Sequence, residues 1–431
     1  MIVLVVVPDY ASHWYPLSAI AGVIRRRGHR VVVATGRTLA PLVAAAGHEH
    51  VELTLGSGSN GGVRPSGTET EIEAFLAATR EGMVGTLTHQ AQRRRHDLLW
   101  ETEAVAARLR HLVAEIAPDT VLVDQLAFNA TAALRGLRVP FLSFLPGHPC
   151  QLPRPGETFG YPELRPPGFA TEGALRSLRE LCTGVASEFT VAYNAATTAL
   201  DPTAVPLDDA FAAGGTLGTL INYPRQLGAH GHPRAWFLGS CIREEKPVPF
   251  FASLAGEQRS RPRAYVSLGS FLSARADVLD RIAHAIQALG WNAVMATGAA
   301  EPQALVTTPA GWVVEEHLPQ VAALQACDIV VCHGGNNTVT EALTAGLPVL
   351  AAPFSTDQFA GAEDLRRAGL GDVIEPAAAT TDEIAARLTS LLGGDAPRRA
   401  AVLGGELRRT PGAWLAADIV EATAAAPAAA A

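Results

Sequence analysis

Lysine is almost missing from this chain: of its 34 basic residues only Lys246 is a lysine, and the rest are arginine. A P-loop needs a lysine directly after its last glycine, whereas Lys246 follows Glu245. A Schiff-base enzyme would depend on that same residue, set in the charged, proline-flanked stretch REEKPVP, so neither chemistry is expected. Cysteine is scarce as well. Cys150, Cys182, Cys241, Cys327 and Cys332 are odd in number and form no C-x-x-C pair, which suits a reducing cytoplasm and offers no zinc site. The net charge is −8, and no basic stripe exceeds Arg25-Arg26-Arg27 or Arg93-Arg94-Arg95, which argues against nucleic acid as a partner. Both arginine runs read as solvated helix faces. No run approaches the ~20 apolar residues of a membrane span, so no stable membrane insertion is expected. Met1–Val7 is apolar but short, ends at Pro8 and lacks a basic leader; it reads as a strand rather than a signal peptide.

What is present is core-forming material in quantity. With 431 residues, 48% apolar and 18% charged, the chain can bury sizeable cores and is long enough for two or three domains. In the first half MIVLVVV, RVVVAT, HVELTL, DTVLVD and PFLSFL alternate with helical stretches such as Pro16–Arg27 and Ile72–Arg80. In the second half AYVSLGS, WNAVMATG, WVVEEHLP, DIVVCHGG and PVLAAPF do the same. Strands alternating with helices imply an α/β class with mostly parallel, doubly wound sheets. The expected division is a first domain over 1–240, a linker over 241–263, a second domain over 264–410, and a terminal helix, crossing back, with a frayed tail over 411–431. The proline- and glycine-rich stretch Gly147–Gly168 reads as a loop over a cleft. One decoy is set aside. Gly56-Ser-Gly58-Ser-Asn-Gly61 matches G-x-G-x-x-G, but Gly62, Pro65 and Gly67 continue a loop where the dinucleotide fingerprint needs a helix.

The segment 333–358 reads HGGNNTVTEALTAGLPVLAAPFSTDQ. It follows a short β-branched strand, Asp328–Cys332, and turns at Gly334-Gly335, where backbone can approach a ligand. A helix then runs from about Thr338 to Ala345 and stops at Gly346. Free amides and the positive dipole end near Asn337 and Thr338 suit a diphosphate without any lysine. His333 stands at the C-terminal edge of its strand, where open α/β sheets bind ligands. Asp357-Gln358 follows the next strand at the same edge. Thr338-x-x-Glu341 also fits a capping box, which would need no ligand, and both readings stand.

This pattern resembles the donor-binding signature of inverting, nucleotide-sugar-dependent glycosyltransferases with two Rossmann-like domains, the GT-B fold of the family 1 type. Within them it is most similar to bacterial, actinomycete natural-product glycosyltransferases. The resemblance implies that His333, Gly335, Asn337 and Thr338 contact the diphosphate, that Glu341 holds the ribose hydroxyls, and that Asp357 and Gln358 hold the sugar. Ser270 closes the strand of Ser267-Leu-Gly-Ser and corresponds to a small hydroxyl near the phosphates; a plain turn is the equal alternative. His317 stands where the family stacks an aromatic residue on the base, and Gln320 where it reaches the ribose.

Across the cleft, strand one leads into PDYASHWYP, and His13-x-x-Pro16 resembles the family's histidine in a loop before the first helix, with Ser12 where glycine is usual. A neutral imidazole can accept the acceptor's proton at neutral pH. Asp124, ending DTVLVD, matches the aspartate that would hold the tautomer and stabilise the imidazolium. No Asp-x-Asp occurs, so no metal is expected. The expected activity is transfer of a hexose, deoxygenated in the nearest resemblance, from a TDP- or UDP-sugar to a hydroxyl of an apolar natural-product aglycone, with inversion. Its partners are then the aglycone and the nucleotide sugar as co-substrate, without a cofactor, in a monomer or homodimer. Trp14, Phe128 and Phe144 are the candidates for the acceptor lining. A transferase acting on lipid or cell-wall intermediates and a silent nucleotide-sugar-binding auxiliary protein are the alternatives.

Overall fold

Among the described residues, thirteen short strands divide into two sheets, and every ladder in both is parallel. The computed structural model describes residues 1–58, 69–228, 234–256, 260–298, 300, 305, 308–355 and 357–425, with backbone only at 69–71, 95–97 and 270–271. The first sheet holds β1 (Ile2–Val6), β2 (Arg30–Thr35), β3 (Glu49–Glu52), β4 (Thr120–Asp124), β5 (Leu142–Leu145), β6 (Gly218–Ile221) and β7 (Ala235–Phe237) in the order β3-β2-β1-β4-β5-β6-β7. The second holds β8 (Arg263–Ser267), β9 (Asn292–Ala296), β10 (Val313–Glu315), β11 (Ile329–Cys332), β12 (Val349–Ala351) and β13 (Gly371–Val373) in the order β10-β9-β8-β11-β12-β13. Each sheet therefore reverses its strand order once, between β1 and β4 and between β8 and β11. Those reversals open the crevices where doubly wound sheets take ligands.

The central strands are buried on both faces, which is why they read as unbroken apolar runs rather than alternating ones. Three strands were not anticipated from the sequence. β6 (GTLI), β7 (AWF) and β13 (GDV) are three or four residues long, too short to show a period. The linker also carries a helix, Pro249–Gly256, where no sustained pattern was read. The glycine-rich match at 56–61 falls largely outside the described residues.

The last helix, Gly412–Ala425, returns to the first domain. Its Ala413, Ala416, Ala417 and Val420 join Leu17, Ile20 and Ile24 in one core cluster. Gly412 makes this possible, because a Cβ there would lie 2.5 Å from the Leu238 carbonyl oxygen. The arginine run 25–27 is not simply a solvated face. Arg27 pairs with Asp418 at 2.7 Å and Glu421 at 2.9 Å, and its guanidinium lies over Trp414. In the second run, Arg94 likewise stacks over Phe159.

Candidate active site

Tyr10, in extended conformation, caps a helix that spans Ala11–Arg26. His13 thus belongs to the first turn of this helix and not to a loop before it, as the sequence had suggested. Its Nδ1 lies 2.8 Å from Asp124 Oδ2, and Asp124 is fully buried at the end of β4. A carboxylate only accepts, so Nδ1 carries the hydrogen and Nε2 keeps its lone pair. The other carboxylate oxygen accepts from the Leu126 amide at 2.9 Å, which fixes the group. Burial opposes a charged imidazole, but the charge and hydrogen bond of Asp124, with Asp357 beyond, outweigh it and raise His13 above 6.5. Pro16 has no N–H, so the Ser12 carbonyl lacks its usual intrahelical donor. Asn337 of the second domain donates to that carbonyl instead, at 2.7 Å. The spacing His13-x-x-Pro16 therefore leaves an acceptor open beside His13, and the facing domain uses it.

On the second sheet, β11 leads through Gly334 (φ +78°) into the helix Asn336–Ala345. The His333 ring lies in the bend between β8 and β11. A Cβ at Gly335 would overlap this ring, and one at Gly269 (φ +75°) would come within 2.8 Å of it. These two glycines are needed for close approach. Burial lowers His333 to about 4 against weaker opposing effects of the Ser267 backbone and Asp357, so it is neutral at neutral pH. It can offer a hydrogen-bond donor but no positive charge. Its Nδ1 is buried without a hydrogen-bond partner among the described residues. The Ser270 side chain lies outside the described residues.

The capping-box reading fails on geometry. Gly335 is the N-cap, and Thr338 and Glu341 lie inside the helix, where Thr338 Oγ1 meets Gln320 Oε1 at 3.4 Å. Glu341 is buried, with Arg243 donating to one oxygen at 2.8 Å and Gln320 to the other at 2.6 Å. Burial raises its pKa, with Arg243 and Gln320 opposing. Arg243 also stacks 4.1 Å over the ring of Tyr15, two residues from the base, so it joins the two halves of the site. No local pattern pointed to Arg243, because it stands in the irregular connection far along the chain from Glu341. Asn336 was also passed over, although it lies within the motif. It donates to the carbonyls of Pro146 and Asn222 of the first domain, each at 2.7 Å.

Asp357 caps the helix Gln358–Arg367 and accepts from the His148 amide at 2.7 Å. The Gln358 side chain turns inward: its Oε1 accepts from the amides of Phe354 and Ser355, and its Nε2 donates to Ser355 Oγ. His317 is exposed on the turn before the short helix Gln320–Leu324. The three acceptor candidates are placed in packed interiors. Phe144 is fully buried in β5, and Phe128 sits among Phe159, Phe189 and Phe211. Trp14 is buried against His48, beside a cavity of about 580 Å³ between the first helix and the returning last helix. Large apolar side chains fill cores first, so Phe128 and Phe144 pack the interior, whereas Trp14 borders a cavity.

Two facing Rossmann-like domains, each with its crevice turned to the other, define the GT-B fold. Residues 280–411 match the family described as erythromycin biosynthesis protein CIII-like, C-terminal domain. The chain is 25% identical over 419 residues to demethyllactenocin mycarosyltransferase of Streptomyces fradiae, covering 95% of this chain and 84% of that protein. Among solved structures, a spinosyn forosaminyltransferase aligns over 99% of this chain and all of its own, with a TM-score of 0.71 and 19% identity. A spinosyn rhamnosyltransferase complexed with thymidine diphosphate aligns over 96% of this chain and 98% of its own, at 0.63 and 21%. The chain is a glycosyltransferase of the GT-B fold. Its second domain carries the region shared with the erythromycin CIII-like family. Among the described residues, no helix is long and apolar enough to cross a membrane.

Proposed function

We propose that this glycosyltransferase moves a hexose from a TDP- or UDP-sugar to a hydroxyl of an apolar natural-product acceptor, with inversion. The observation that carries the reading is the His13–Asp124 pair at the crevice of one sheet, facing the His333 turn and helix N-terminus at the crevice of the other. His13 Nε2 takes the proton of the acceptor hydroxyl as the oxygen attacks the anomeric carbon. The nucleoside diphosphate leaves from the opposite side, and Asp124 stabilises the imidazolium that forms. Amides at the start of the helix Asn336–Ala345 and the neutral His333 meet the charge growing on the phosphate. Glu341 and Gln320 take the ribose; each carboxylate oxygen retains a lone pair beyond the bonds it already accepts. Asp357 takes the sugar. TDP as nucleotide is favoured by the likeness to the spinosyn enzyme that was solved with thymidine diphosphate.

The reading requires no divalent metal, since the helix end and hydroxyls supply the electrostatic stabilisation. Turnover of radiolabelled TDP- and UDP-sugars against pooled aglycones tests it, and EDTA should leave the rate unchanged. No turnover with any donor, or activity abolished by EDTA and restored by manganese, would overturn it.

A further inference from the structure

The helix Gln358–Arg367 presents Asp357, Gly361 and Asp364 on one face, at i, i+4 and i+7. One residue of the first domain, His148, meets all three. Its backbone amide donates to Asp357 Oδ2 at 2.7 Å. Its ring edge passes the position where Gly361 lacks a side chain, with a Cβ there 3.9 Å from His148 Cδ2. Its Nε2 lies 3.0 Å from Asp364 Oδ2. The Cys150 amide donates to His148 Nδ1 at 3.0 Å, so the ring hydrogen sits on Nε2 and is given to Asp364. Tyr223, which follows β6, donates its hydroxyl to the same Asp364 oxygen at 2.7 Å and stands edge-on to the imidazole, 4.8 Å between centroids. Burial, with Asp364, holds the Tyr223 phenol well above its ordinary pKa, so it remains a donor. Gly147 completes the arrangement, because a Cβ there would come 2.7 Å from Asp357 Oδ2.

We infer that His148, anchored by Asp364 and Tyr223, is a positioning residue for Asp357, so that the first domain's cleft loop completes the sugar subsite of the second domain. Three buried side chains, His148, Asp364 and Tyr223, hold this loop on the helix. What the loop delivers there is a single amide aimed at the carboxylate. A peptide N–H bonded to one oxygen restrains the rotamer of Asp357. Recognition of the sugar is thereby tied to closure of the two domains, while the nucleotide is held by the second domain without the loop. The inference rests on the proposed function, in which Asp357 takes the sugar.

Calorimetric titration with TDP and with TDP-glucose separates the two. His148→Ala is expected to weaken TDP-glucose binding about tenfold while leaving TDP within twofold. Gly361→Val, which wedges the ring away without touching a polar group, should do the same, and Tyr223→Phe should follow in smaller measure. Circular dichroism confirms folding of each variant. If the wild-type protein binds neither nucleotide, the glycosyltransferase reading falls and this inference with it. If TDP binds normally but the variants shift both ligands equally, or neither, the positioning role of His148 is wrong and the reading stands.

Discussion

In the proposed mechanism His13 carries the pH behaviour of the reaction. The base must be neutral to accept a proton, and its pKa is raised above 6.5, so kcat/KM should fall on the acid side with a midpoint above that value. Asp124→Asn removes the charge that raises it and leaves burial, which lowers it, opposed chiefly by the more distant Asp357. The acid limb should therefore move to lower pH while the plateau rate falls. A limb that stays in place would show that His13 is not the titrating base. Glu341 tests a second residue. Replacing it by alanine takes the acceptor from Gln320 Nε2 and leaves Arg243 paired with Glu245 alone in a buried site, which costs about 1–3 kcal/mol of stability. Donor affinity should fall as well. Thermal unfolding and TDP titration of the same variant measure the two losses, and unchanged TDP affinity would assign Glu341 to the fold alone.

At the scale of elements, the helix Asn336–Ala345 is where sequence and structure agree best. The β-branched strand, the glycine turn and the stop at Gly346 were each visible over a few residues, and together they gave the element within two residues. What stayed hidden was carried by distant partners: Arg243 against Glu341, Asn336 against Pro146 and Asn222, Asp364 against His148. Local patterns hold no record of such pairs. The misplacement of His13 had another cause, since Pro16 suggested a helix beginning near it, whereas proline is accommodated inside the second turn here. Asn337 gives the prediction at this scale. Its amide donates to Ser12 while its backbone opens the helix. Asn337→Asp would set a carboxylate against both the Ser12 carbonyl and the phosphates, whereas Asn337→Ala only removes a donor. TDP affinity should fall much further in the aspartate variant. Equal losses in the two would place Asn337 away from the diphosphate.

In the whole molecule, the doubling of one architecture was legible from the two series of alternating strands, and so was the returning last helix. The acceptor lining was not, because the largest apolar side chains close to the dyad in sequence are the ones the cores absorb. The proposed mechanism divides chemistry and donor binding between the domains: the base stands on the first, and the diphosphate is held by the second. His13→Ala measures that division most directly, through the rate of sugar transfer and the affinity for TDP taken on the same preparation. The account predicts a rate lower by roughly 10²–10⁴-fold with TDP affinity unchanged. Transfer within about threefold of the wild-type rate, far short of that loss, would contradict it.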